Sequence, residues 1–181
     1  MKKRKNKKEK FWNVPNALSL IRLIAGFIFI YLLFAGYSLW TLAIVFAVGA
    51  LSDALDGNAA RILKQQTKVG ARLDQIIDRV FTALIVIPLL LKFLLAGQTY
   101  WIVMLILVSS REIIGVWGVV VRNIRNLDNY KVKWIGKATT FVQAFGIGVI
   151  IIQWPYAIYV VGLTCLVGIF SGLDYILDSL K

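Results

Sequence analysis

The chain has 181 residues, 59% of them hydrophobic, with a mean hydropathy of +0.75. That apolar share exceeds the roughly 45–50% of a soluble domain, so a water-filled exterior is excluded and lipid is the expected solvent. The net charge of +12 does not point to nucleic acid, because long apolar runs leave no polar face for a duplex; anionic headgroups and phosphorylated substrates are the expected partners.

Chemistry is bounded by what is missing. The lone cysteine, Cys165, lies in an apolar run, and histidine is absent, which removes disulfide and zinc frameworks. Any general base must then be a carboxylate or a lysine, and any metal must be oxygen-ligated, as Mg²⁺ or Mn²⁺ is.

In chain order, residues 1–12 form a basic segment. Seven of the 21 Lys and Arg residues fall in MKKRKNKKEK, followed by Phe11-Trp12, a pattern for an amphipathic juxtamembrane helix on the lipid surface. Asn13-Val14-Pro15-Asn16 breaks the chain before the first span. Residues 13–181 then read as one six-helix domain. Spans of ~20 apolar residues fall at roughly 17–37, 40–62, 70–95, 99–123, 134–153 and 155–178. Gly36, Gly97 and Trp154-Pro155 mark the turns on one side; the basic stretches 61–68 and 122–137 mark those on the other. The expected fold is an all-α integral membrane protein with six transmembrane helices. The excess of positive charge on one side predicts that both termini are cytoplasmic, and the basic terminus and compact length fit the plasma (inner) membrane.

The second and third spans hold four carboxylates. Asp53 and Asp56 are three residues apart; Asp74 and Asp78 are four apart. Each spacing puts its pair on one helix face. The short 61–68 turn makes the two helices antiparallel neighbours, so all four acids can converge at one depth near the cytoplasmic surface. Four like charges there demand cationic compensation. Two Mg²⁺ ions, sharing carboxylate and substrate phosphate oxygens, supply it. Gly57 and Gly70 leave room for a nucleotide or a neighbouring helix, Ala59 and Ala60 keep the helix slim, Arg61 can fork onto a diphosphate, and Thr67 offers a hydroxyl. Two bland alternatives remain: an inert ion network with Arg61, Arg72 and Arg79, and a cation- or proton-conducting site.

The pattern D-x-x-D-G-x-x-A-R, eight residues, then G-x-x-x-D-x-x-x-D, over residues 53–78, resembles the motif of the CDP-alcohol phosphatidyltransferases. These are six-helix membrane enzymes that join a CDP-linked lipid to an alcohol and release CMP. The resemblance implies Asp53, Asp56 and Asp74 as ligands of one metal ion. It gives Asp53, Asp74 and Asp78 to the second, with Asp78 as general base. It implies a CDP-lipid pocket of Asp56, Gly57, Ala60, Arg61, Thr67 and Gly70. Gln75 and Arg79 stand where much of the family has proline and lysine.

Further motifs are similar to the bacterial phosphatidylglycerophosphate synthase branch, and with them the resemblance covers nearly the whole chain after residue 12. They are Asn13-Val14-Pro15-Asn16 with Ser19 and Arg22, Ser110-Arg111-Glu112-Ile113-Ile114, the stretch from Val132 to Thr140, and Ser171-Gly172-Leu173-Asp174-Tyr175. The implied donor is CDP-diacylglycerol and the implied acceptor glycerol 3-phosphate, with Arg111 and Lys137 gripping its phosphate. Val119 stands where that branch carries another arginine, and Arg122, one turn on, is the expected substitute. Other acceptors with the same chemistry are inositol phosphate and, for cardiolipin, phosphatidylglycerol. The family resemblance favours a homodimer; glycines 115, 118, 146, 148, 162 and 168 could serve close helix contacts within or between subunits.

Overall fold

In the computed structural model the described backbone covers residues 14–62, 68–110 and 134–179, with side chains described for 17–52, 74, 76–110 and 139–168. All regular structure among these residues is helical: α1 (Val14–Phe34), α2 (Leu39–Ile62), α3 (Lys68–Leu95), α4 (Thr99–Ser110), α5 (Trp134–Ile151) and α6 (Ala157–Ser179). The basic segment 1–12 lies outside the described residues.

These helices coincide with the apolar stretches of the sequence, with one shift at the start. Asn13-Val14-Pro15-Asn16 does not hold the chain open, because α1 already begins at Val14. Proline is tolerated in a first helical turn, where its missing N–H has no intrahelical partner to lose. By length and apolarity only Ala17–Phe34 suffices to cross a membrane among the described residues. Shorter apolar helical stretches run over Leu39–Ser52, Thr99–Ser110, Thr139–Ile151 and Ala157–Gly168.

Three helices end alike. Gly36, Gly97 and Gln153 adopt left-handed backbone with φ of 78°, 65° and 52°. The next N–H in each case reaches back to a carbonyl five residues earlier: Tyr37 to Leu32 (3.1 Å), Gln98 to Phe93 (2.9 Å) and Trp154 to Val149 (3.1 Å). This is the Schellman cap, which satisfies helix-end carbonyls while the chain reverses. Glycine adopts it without strain; Gln153 does so with a side chain whose amide meets that of Gln98 at 3.4 Å.

The surface is inverted relative to a protein in water. Leu20, Ile24, Phe27, Ile28 and Tyr31 on α1, Trp40 and Ile44 on α2, Ile87 and Leu95 on α3, Phe141 on α5 and Tyr159 on α6 are exposed, whereas Ser19, Arg22, Ser52, Thr139, Gln143 and Thr164 are buried. Apolar residues outward and polar residues inward is the arrangement hydrocarbon selects.

The chain divides into two compact units, one of Met1–Tyr37 and Ile44–Ile85, the other of Ser38–Ala43 and Val86–Lys181. In the first, Phe81 of α3 is the wedge between helices. Its ring stacks on Phe46 of α2 at 6.0 Å between centroids and 7° between planes. A Cβ built on Gly49 would meet Phe81 Cε2 at 2.6 Å, and one on Gly26 of α1 would meet Leu84 Cδ1 at 2.8 Å. Both glycines therefore let helix backbones approach the α3 side chains closely. In the second unit, Gly146 of α5 plays this part, with Thr164 Oγ1 of α6 at 3.1 Å and Val108 of α4 at 3.4 Å from the Cβ position. Of the other glycines expected at contacts, Gly162 and Gly168 face open space.

Candidate active site

The contact between Gly49 and Phe81 sets the register of the acidic residues. One turn beyond Gly49 on α2 is Asp53 and two turns beyond is Asp56; one turn before Phe81 on α3 is Asp78 and two turns before is Asp74. With α2 and α3 antiparallel, each step away from Phe81 brings one acidic position of α2 level with one of α3. The helical backbone thus places all four aspartates at the same end of the first unit. The side chains of Asp53 and Asp56 lie outside the described residues; those of Asp74 and Asp78 are described.

Asp74 and Asp78 sit one turn apart on α3 and share a cation. Arg22 Nη1, from α1, is 3.4 Å from Asp74 Oδ1 and 4.0 Å from Asp78 Oδ1. The arginine side chain is 0% exposed, while those of Asp74 and Asp78 are 41% and 42% exposed. The guanidinium therefore lies on the buried side of the pair, and the carboxylates keep an accessible side. Thr82 Oγ1 donates to the Asp78 carbonyl at 3.0 Å, a back-bond of the kind serine and threonine make within helices. Across on α2, buried Ser52 donates to the Gly49 carbonyl at 2.7 Å, which keeps the hydroxyl beside Asp53 satisfied internally.

α1 reaches this site in register with α3. Gly26 packs at Phe81 and Leu84, and one turn toward the N-terminal ends of both helices Arg22 meets the aspartates. The two helices run parallel. The buried face of α1 reads Ser19, Arg22, Ala25, Phe29 and Leu33, the helical repeat of a core-facing stripe. The sequence carried a signal for Arg22 that composition alone did not use: an ionisable residue inside an apolar run is costly and tends to have a defined partner.

The donor set suits a hard divalent cation. Two carboxylates already converge on one positive charge, present an accessible side and offer only oxygen, which matches Mg²⁺ or Mn²⁺. Among the described side chains no group of three potential ligands assembles. Of the other expected site residues, Gly57, Ala60, Arg61 and Gly70 fall on the facing ends of α2 and α3, and Lys137 on the first turn of α5, with their side chains outside the described set. Thr67, Arg111, Val119 and Arg122 lie outside the described residues.

Comparison with known proteins bears on the chemistry. The model of one family, described as CDP-alcohol phosphatidyltransferase, matches residues 12–170. A Mycobacterium tuberculosis protein named as a probable phosphatidylglycerophosphate synthase is 29% identical, over 93% of this chain and 82% of the relative. The CDP-diacylglycerol–glycerol-3-phosphate 3-phosphatidyltransferase of Escherichia coli K12 is 28% identical, over 73% of this chain and 72% of the relative. A Mycobacterium bovis protein named provisionally as a cardiolipin synthase is 34% identical, over 71% of this chain and 59% of the relative.

Proposed function

The chain belongs to the CDP-alcohol phosphatidyltransferase family, and on that premise we propose that it transfers the phosphatidyl group of CDP-diacylglycerol to glycerol 3-phosphate, forming phosphatidylglycerol phosphate and CMP. The carrying observation is the convergence of Asp74 and Asp78 on one cation at the end of the first unit where Asp53 and Asp56 also lie. Relatives named for this reaction support the choice of acceptor.

In this reading Asp53, Asp56, Asp74 and Asp78 hold two Mg²⁺ or Mn²⁺ ions. Bound there, the ions would neutralise the diphosphate and stabilise charge on the departing CMP. The remaining work falls to the protein. Arg61 forks onto the diphosphate, Gly57, Ala60 and Gly70 leave space for the nucleotide, and Thr67 offers it a hydroxyl. Arg111 and Lys137, with Arg122 in place of the arginine missing at Val119, grip the acceptor phosphate. An Asp78 carboxylate oxygen takes the proton of the acceptor hydroxyl as the hydroxyl oxygen bonds to the lipid-bearing phosphorus. The bond from this phosphorus to the bridging oxygen breaks, and CMP leaves with the electron pair.

Setting belongs to the same proposal. Outward apolar faces on all five helices whose exposed residues are named above fit a multi-pass protein of six spans in the plasma membrane. The distribution of lysine and arginine fits cytoplasmic termini and a cytoplasmic site, with the basic first segment on anionic lipid. A homodimer fits the family. A second acceptor, phosphatidylglycerol, is favoured by the relative named for cardiolipin synthesis.

Purified protein incubated with CDP-diacylglycerol, Mg²⁺ and each acceptor in turn decides the matter through CMP release. Product with glycerol 3-phosphate, lost on chelation and regained with Mg²⁺, is the expected result. Turnover with phosphatidylglycerol or inositol phosphate alone would overturn the acceptor, and undiminished turnover in excess EDTA would overturn the metal assignment.

A further inference from the structure

We propose that Arg22 is a positioning residue of this site: a buried guanidinium on α1 that holds the Asp74 and Asp78 carboxylates together from the interior side before any divalent ion binds. The inference rests on the metal-site reading above, but its core is a charge coupling between α1 and α3 that can be measured without catalysis.

The geometry separates two sides of the carboxylate pair. Arg22 is wholly buried, whereas each aspartate side chain is two-fifths exposed. Each of the two acids approaches the same nitrogen, Nη1, through its Oδ1, so one fixed charge spans both. At 3.4 and 4.0 Å the contacts are longer than the ~2.7–2.9 Å of a tight charge-assisted hydrogen bond. Arg22 thus makes a long hydrogen bond to Asp74 and a looser ion pair with Asp78, and both carboxylates keep an exposed side open to an ion. Without this charge, two carboxylates one turn apart would repel and splay while the site is empty.

The anchoring of Arg22 is also specific. Gly26, one turn along α1, sits against Phe81 and Leu84 of α3, so α1 cannot rotate the guanidinium away without driving its backbone into those side chains. Leucine, isoleucine and phenylalanine occupy the outward positions around it on α1. Interior placement of a lone arginine in such a helix follows from its carboxylate partners rather than from any solvent.

The test uses the full chain in detergent, with melting temperature read in EDTA and in excess Mg²⁺. Arg22→Met keeps most of the side-chain volume and removes the charge. It is expected to lower the melting temperature in EDTA by roughly 2–4 °C, since two neighbouring, partly exposed carboxylates lose their shared counter-charge. Mg²⁺ should then restore at least half of that loss, giving the variant a larger metal-induced shift than the wild type; Arg22→Lys should fall between them. An equal loss with and without Mg²⁺ would mean a purely structural arginine and would overturn the proposal.

A charge cycle covers the case in which Arg22→Met does not fold alone. Asp74→Asn/Asp78→Asn removes these two negative charges from the guanidinium, and adding Arg22→Met to that pair should cost much less stability than it does in the wild type. If Arg22→Met lowers stability equally in both backgrounds, or the triple variant also fails to fold, the coupling is refuted. A wild type whose melting temperature ignores Mg²⁺ would count against the metal site, and the cycle would still judge Arg22.

Discussion

Replacing Gly49 with alanine should damage both stability and turnover, through Phe81. The new Cβ would stand 2.6 Å from Phe81 Cε2, about 1 Å inside ordinary carbon contact of ~3.5–4.0 Å. The ring has little freedom to retreat. It is buried, it stacks on Phe46, and its Cδ2 lies 3.4 Å from the Cβ position of Gly26. Overpacking of this kind costs about 1–3 kcal/mol, and the ring's confinement argues for the upper end. Alanine's better helix propensity returns about 1 kcal/mol, leaving a net loss of about 2 kcal/mol, or roughly 4–8 °C in melting temperature. The displaced helix carries Asp78 one turn away, so a shift of about 1 Å between α2 and α3 should lower kcat by up to ~10²-fold. Thermal unfolding in detergent and CMP release measure the two effects. Gly26→Ala is the control: it meets Leu84 Cδ1, the far end of a flexible side chain, at 2.8 Å, and should be milder on both counts. Adding Phe81→Leu to Gly49→Ala should recover part of each. If Gly49→Ala kept wild-type stability and rate, Phe81 would not set the spacing of the acidic helices.

Three other outcomes are expected. Asp78→Asn should reduce turnover by at least ~10²-fold while CDP-diacylglycerol still binds; a normal rate would remove Asp78 from the base role. Arg111→Ala should raise KM for glycerol 3-phosphate tenfold or more, with little change for the CDP-lipid; equal effects on both substrates would dissociate Arg111 from the acceptor. Gln153→Gly should stabilise the α5–α6 turn by up to about 1 kcal/mol, because a left-handed conformation costs an L-residue roughly 1–2 kcal/mol, less the entropy glycine loses and the Gln98 contact. A clear drop in melting temperature would show that the Gln98 contact outweighs the strain.

The helices were legible because apolar runs and glycine punctuation are local. The stretch 40–62 became Leu39–Ile62, and the turns expected at Gly36 and Gly97 carry the left-handed glycines that end α1 and α3. One proline departs from its local rule: Pro15 enters the first turn of α1 instead of preceding it. Pro88 sits buried inside α3, within the expected 70–95 span, where neighbouring helices in lipid can tolerate a missing N–H. Asp74 and Asp78 were legible as a pair because helical spacing alone puts them on one face. Arg22 was not legible as their partner, since 52 residues separate it from Asp74 and only packing at Gly26 and Phe81 joins α1 to α3. The roles expected of Asp53, Asp56, Arg61 and the acceptor cations depend on side chains outside the described residues and are carried by the proposal.

The capped reversals after α1, α3 and α5 bear on how such a chain could be threaded into a bilayer during synthesis. Dragging a loop through hydrocarbon is penalised chiefly by bare peptide dipoles, and in these tight reversals the dipoles are already quenched by the chain itself. In the six-span arrangement proposed above, consecutive helices joined this way would partition two at a time, the leading bend sliding across with little electrostatic resistance while the lysine- and arginine-rich connections stayed behind.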